Sequence, residues 1–216
     1  MFSVLACSTG YAETSLQAHA FSGVPHRGAN ISGNRGAIGG TLSIDHESGL
    51  FLGLSGHYAP GVPTGQRLTR YAGANAGWFL PVNGTQAIEL SISRHVFDNV
   101  PDWRYEEFRM NYHWSKSLTV SGMFSPDYYG RGSESFLTEV VWQPSLRKGW
   151  FARFAGGAGL LPDSDQSSLG WMEAGVGIAR RRFSTLLSLG ATNADAIPSE
   201  RVDDVTLTLQ VNYLIR

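Results

Sequence analysis

The chain has 216 residues, a formal net charge of −1 and only 16% charged residues, so it carries no basic surface of the kind nucleic acid demands. Its single cysteine, Cys7, excludes an intrachain disulfide, and no stretch approaches the ~18 uninterrupted apolar residues of a transmembrane helix. Lysine occurs only at Lys116 and Lys148, too sparsely for the mixed charged coat of a soluble protein of this size.

The opening MFSVLACSTGYAETS reads as the end of a secretion signal: a short apolar run, then small residues, with Gly-Tyr-Ala before Glu13 as the cleavage site. Residues 1–12 are accordingly expected to be a signal-peptide remnant, and 13–216 the folded domain. Two alternatives stay open here: acylation of Cys7 in Val-Leu-Ala-Cys, or an ordinary retained N-terminus.

Beyond this point apolar and polar residues alternate with a period of two. The alternation predicts twelve strands, at roughly 14–21, 36–45, 50–58, 69–79, 86–96, 104–114, 117–124, 134–144, 150–160, 169–179, 182–191 and 204–214. Most are close to the ~9–11 residues with which a tilted strand crosses a bilayer. Glycines break the windows in which helical spacing begins, so no helix is expected. The connections alternate in length. HESG, PVNGT, Ser115-Lys116, PSLRKG and Arg180-Arg181 are short, and Asn83-Gly84 is a tight-turn signal. The others, 22–35, 59–68, 97–103, 125–133, 161–168 and 192–203, are long and rich in Gly, Pro, Asn, Asp and Ser. Short turns on one rim and long loops on the other are the pattern of a membrane barrel.

The strands are two-faced. Leu50, Leu52 and Leu54 share a side, as do Ile88, Leu90 and Ile92, Leu118 and Val120, Leu187 and Leu189, and Leu207, Leu209 and Val211. The other side carries Ser, Thr, Gly, Asn and Gln with a few charges of mixed sign. A soluble barrel would show a Lys/Glu-rich face instead, so the polar side suits a wet lumen. Trp78, Trp114, Trp142 and Trp150 fall near the short-turn rim, and Trp103 and Trp171 near the long-loop rim. Indoles favour such levels at a bilayer interface. The closing VTLTLQVNYLIR alternates to its end, stepping back from Ile215 through Tyr213, Val211, Leu209 and Leu207. The expected fold is all-β: one antiparallel transmembrane β-barrel of about 12 strands, with both termini on the short-turn side.

Two segments resemble a known family. RGANISGNRGAIGGTLSIDHESGLFLGLSG (27–56) is similar to its "RG" loop, strand, His-Glu-Ser-Gly turn and following strand, and MFSPDYYG (123–130) to its YSPDYFG segment. The family is the TorF-type group of proteobacterial porin-like outer-membrane proteins. The resemblance implies an outer-membrane barrel with porin activity and transfers no catalytic residue.

The motifs that could carry chemistry are weak. His46-Glu47-Ser48 and His113-Trp114-Ser115 spell the His-x-Ser pair of outer-membrane lipid hydrolases. The first falls in a turn on the wrong rim, and the second puts its serine at a turn edge, so the chain is read as no enzyme. SPDYYGRG (125–132) reads either as a binding loop or as an extracellular turn with interfacial tyrosines, the latter preferred. PDSDQSS (162–168) and Asp203-Asp204 offer carboxylates, short of the six to eight oxygens of a calcium site. Gly156-Gly157-x-Gly159 lacks the lysine and helix of a phosphate loop. His19, His57 and His95 fall on polar faces, where hydrogen bonding to lumen neighbours is the simpler reading and pH tuning the sharper one. No metal or cofactor is expected.

The charges predicted to face inward are Glu89, Glu107, Arg109, Glu139, Arg153, Glu173 and Arg182. They are the candidate pore-lining residues, and Arg109 and Arg153 are expected to meet Glu107, Glu139 or Glu173. The function expected is a porin of the bacterial outer membrane, passing small polar solutes or ions by diffusion. The alternative is a closed structural or ligand-binding barrel. Partners would be outer-membrane lipid, the solutes, and the barrel-assembly machinery that reads the last strand.

Overall fold

In each strand the backbone polar groups pair sideways, so a sheet spares its two edges only by closing on itself. This chain closes. The computed structural model describes residues 12–27, 29–30, 32, 35–60, 70–98, 104–130, 132–162, 168–193 and 205–215. Twelve antiparallel strands form one barrel: β1 (Glu13–Phe21), β2 (Ala37–Asp45), β3 (Leu50–Tyr58), β4 (Arg70–Asn83), β5 (Gln86–Asp98), β6 (Arg104–Trp114), β7 (Leu118–Ser125), β8 (Ser135–Trp142), β9 (Trp150–Leu160), β10 (Ser168–Arg180), β11 (Phe183–Thr192) and β12 (Val205–Ile215). Each pairs with its chain neighbours, and β1 closes onto β12 from Leu16↔Ile215 to Phe21↔Gln210. Of the predicted signal segment 1–12, residues 1–11 lie outside the described residues.

Strand ends depart from the alternation where local chemistry intervenes. β4 runs past its expected end to Asn83, because the register shifts between Pro81 and Asn83, and a bulge accommodates a proline that cannot donate. Asn83 Oδ1 then accepts from Thr85 N at 2.9 Å and closes the turn. β8 stops at Trp142, short of Pro144, and a 3₁₀ turn (Arg147–Gly149) leads into β9. Arg182 was expected to start a strand and face the lumen. It sits instead in the two-residue turn with Arg181, exposed, one position before β11 begins.

The exposure pattern is inverted relative to a soluble protein. Along β12 the apolar Leu207 is 62% exposed, whereas its neighbours Thr206 and Thr208 are each 4% exposed. Leu50, Leu52 and Leu54, Leu187 and Leu189, and Leu90 and Ile92 likewise face outward. Trp78, Trp114, Trp142 and Trp150 are all exposed on the outer face at the short-turn end. Trp171 corrects the interfacial expectation: it is buried at the long-loop end, with its ring inside the barrel over Gly157. Trp103 lies outside the described residues.

Inside, the main buried apolar cluster among the described residues lies at the long-loop end. Phe97, Tyr105, Met123, Tyr128, Tyr129, Leu137, Leu161, Leu169 and Trp171 form one buried cluster there, with Val24 and Tyr71 packed against it. Tyr128 and Tyr129 come from the connection after β7, and Val24 from the connection after β1.

Candidate functional site

Strand alternation places six of the seven predicted charges on the inner wall, and neighbouring strands supply partners within reach. Arg109 Nη2 meets Glu107 Oε1 at 3.1 Å, two residues away on β6. Arg153 Nε donates to Glu173 Oε1 at 3.1 Å between β9 and β10. Glu89 accepts from Asn111 Nδ2 at 2.9 Å and meets His113 Nε2 at 3.3 Å. Glu139 accepts from the Trp171 indole at 3.3 Å. These pairs run along the wall, within one strand, between adjacent strands or, for Glu139 and Trp171, across the intervening β9. Their contacts hold the side chains against the wall. Lower in the barrel, Asn75 stays exposed on the inward face, opposite Gly53.

Arg27 was not singled out by the sequence. It belongs to the first long connection, whose residues Pro25–His26 and Ala29–Asn30 form a two-residue ladder. That connection turns back into the barrel mouth. Arg27 itself has φ +48°, in the left-handed region where a side chain is unfavourable. Its side chain is 6% exposed and forms an ion pair with that of Glu107, itself 2% exposed. It also donates to the Tyr128 hydroxyl, reaches Met123 Sδ at 3.8 Å and lies 5.2 Å from the centre of the Tyr128 ring. Glu107 is thus held between Arg27 from the loop and Arg109 from the wall. A buried carboxylate needs that compensation.

Aromatic rings pack around this ion pair. Tyr105 stacks on His95 at 4.6 Å and meets Tyr128 and Tyr129 edge-on at 5.4 and 4.9 Å. His26 lies edge-on to Tyr129. Ser32 Oγ braces the loop, accepting from Val24 N at 3.0 Å and donating to Arg35 O at 2.8 Å. The SPDYYGRG turn is tied by Gly132 N to Asp127 Oδ1 at 2.7 Å and Tyr128 N to Ser133 O at 2.8 Å. Its tyrosines were expected at the membrane interface; both are buried in the mouth, because Tyr129 takes φ +58° and turns the pair inward.

The inner histidines are largely engaged. His19 bonds Asn212 Oδ1 at 2.8 Å and Thr41 Oγ1 at 2.9 Å, and His95 bonds Tyr71 and Ser93, each at 2.9 Å. His57 stacks on Tyr71. Of the two His-x-Ser triplets, His46 Nδ1 meets Ser48 Oγ at 2.8 Å in an exposed short turn. His113 bonds Thr119 and Glu89, and Ser115 bonds Ser117. Gly156, Gly157 and Gly159 lie within β9, and Gly157 makes room for Trp171. Residues 163–167 and Asp203-Asp204 lie outside the described residues.

No protein-family model matches the chain, and no curated protein matches it in sequence. Solved structures share its fold. The KdgM porin is similar at a TM-score of 0.58 and 10% identity, over 94% of this chain and 100% of that one. The NanC porin is similar at 0.63 and 5%, over 92% and 98%. A second KdgM structure, in complex with disordered oligogalacturonate, is similar at 0.56 and 10%, over 94% and 100%. At such identities the likeness is one of fold, and in fold this chain is built as those porin barrels are.

Proposed function

We propose that the chain is an outer-membrane channel through which small polar solutes diffuse, with its long loops outside the cell and its short turns in the periplasm. One observation carries this reading: the apolar residues of the strands face outward and the hydroxyl and amide residues inward. In water such a surface would drive association. In lipid it is what a spanning barrel requires, since closure satisfies every strand and the apolar band meets the acyl chains. The polar inner wall then offers a path to solutes that the bilayer excludes. The resemblance to the TorF-type family supports the same reading, as does the capture of an oligogalacturonate by a barrel of like fold. In this reading residues 1–12 are the remnant of the export signal, and β12 is the strand that the assembly machinery reads. The weak His-x-Ser motifs give no reason to read an enzyme.

Glu89, Glu107, Arg109, Glu139, Arg153 and Glu173 line the path, four carboxylates against two guanidiniums, and Arg27 at the mouth offsets part of that acidic excess. The mouth narrows where Arg27 bridges Glu107 and Tyr128. That contact is the observation that favours the second reading, a barrel whose lumen stays closed. Swelling of proteoliposomes separates the two. The channel reading expects faster swelling in a monosaccharide than in a tetrasaccharide. Rates equal to protein-free vesicles for both sugars would favour the closed barrel.

A further inference from the structure

We propose that the outer wall of the barrel carries a binding site for a phosphorylated, multiply acylated lipid of the outward-facing leaflet. A groove of about 500 Å³ lies on the apolar face of β2 to β5. It arises from register. Leu54, Ala74, Arg94 and Glu106 stand in one row across β3 to β6, and Leu52, Ala76 and Ile92 in the row nearer the short turns. Ala74 and Ala76 are the small members of both rows, so β4 forms a floor between the larger side chains of β3 and β5. The flanking strands are two spacings, or about 10 Å, apart, which leaves room between their side chains for an extended hydrocarbon chain.

The charge lies at one end of this groove only. Arg94 Nη1 meets Glu106 Oε1 at 3.4 Å, with side chains 58% and 44% exposed on the outer wall. Arg104 is the outward residue two positions before Glu106 on β6, diagonal to Arg94. It is exposed and has no carboxylate partner among the described residues. Charges on the lipid-facing wall are costly at the bilayer centre and cheap only near the interface. The depth is marked by the rings of Phe108, Phe124 and Phe136, in contact at 6.4 and 4.9 Å one row below. Two arginines at headgroup level, one oriented by a carboxylate, suit a phosphate, whose oxygens match the guanidinium fork. A free phosphate would leave the groove unused. An acylated phosphate fills both ends, the head at Arg94 and Arg104 and a chain along Ala74 and Ala76.

This inference rests on the membrane reading above. The test therefore begins by confirming, from a heat-dependent gel shift, that each purified full-length variant is a folded barrel. Retention of added lipid A, phosphatidylglycerol and phosphatidylcholine is then compared by native mass spectrometry. Lipid A should be retained in preference to both phospholipids. Arg94→Ala/Arg104→Ala should weaken its retention about tenfold or more, the loss expected for charge-assisted contacts. Ala74→Leu/Ala76→Leu, which fills the groove and keeps the arginines, should weaken it too. Equal retention of either phospholipid, or unchanged lipid A retention in either variant, would overturn the site. Loss of the gel shift in the wild type would instead overturn the membrane reading beneath it.

Discussion

Arg27 seats the first long connection in the mouth through one carboxylate and one hydroxyl. Removing one partner of a buried ion pair costs about 3–5 kcal/mol when the other charge is stranded. Here Arg109 still meets Glu107, so the cost of Arg27→Ala belongs at or below the lower end and falls on the seated loop, not on the barrel. Proteoliposomes carrying Arg27→Ala should swell several-fold faster than wild type in a small sugar, with the heat-dependent gel shift unchanged. Acid should act on the same seat. Burial first, then Arg27, His95 and Arg109 nearby, hold His26 well below its ordinary 6.5. In a released loop it would titrate near that ordinary value. The released state then binds more protons as pH falls, so the seated state loses stability below about pH 6.5 and loses none above it. Swelling rates should rise on acidification, and the acid-dependent part that sets in near pH 6.5 should shrink in His26→Phe. The wall charges were readable because alternation assigns each strand residue a face. Arg27 was not, because a loop has no period, and nothing in Pro25-His26-Arg27-Gly28 indicates that the segment folds inward. Tyr128 and Tyr129 were misassigned for the same reason.

At the level of elements, strand positions followed from period-two patterning, and their limits moved only where a proline or a turn intervened. Pro81 is bridged by a bulge, Pro144 ends β8, and the turn before β11 claims Arg182. The short turns carry their own chemistry. Gly49, after His46, has φ +86°, and its carbonyl accepts from Phe79 N at 2.8 Å. A Cβ there would run into the Phe79 carbonyl and crowd the Trp78 indole, which donates to Ser48 O at 2.7 Å. Gly49→Ala should therefore lower barrel stability by about 1–3 kcal/mol, measured as the urea midpoint of refolding into detergent micelles. An unchanged midpoint would mean that the turn adjusts freely.

For the whole molecule, the claim is that one wall meets lipid and the other water. Leu209 lies mid-strand on the outer face of β12 and pairs with Leu187. An arginine there should cost about 2–4 kcal/mol, as charges do near the bilayer midplane. Asn75, exposed on the inner face, should accept an arginine with little change in the same urea midpoint. Equal costs at the two positions would mean that the faces have been assigned the wrong way round, since a one-residue slip reverses every side chain. The barrel was legible from the sequence because loop parity, two-faced strands and the four tryptophans of the short-turn rim all indicated the same architecture. The state of its mouth was not legible, since it depends on contacts between Arg27, Glu107 and Tyr128, far apart in the chain.

The most direct measurement is single-channel recording in planar bilayers across a potassium chloride gradient. Discrete conductance steps are expected, larger or more frequent in Arg27→Ala than in wild type. Asn75→Arg should move the reversal potential toward anion preference, because its side chain is exposed on the inner face. An absence of steps in both the wild type and Arg27→Ala would contradict the channel reading.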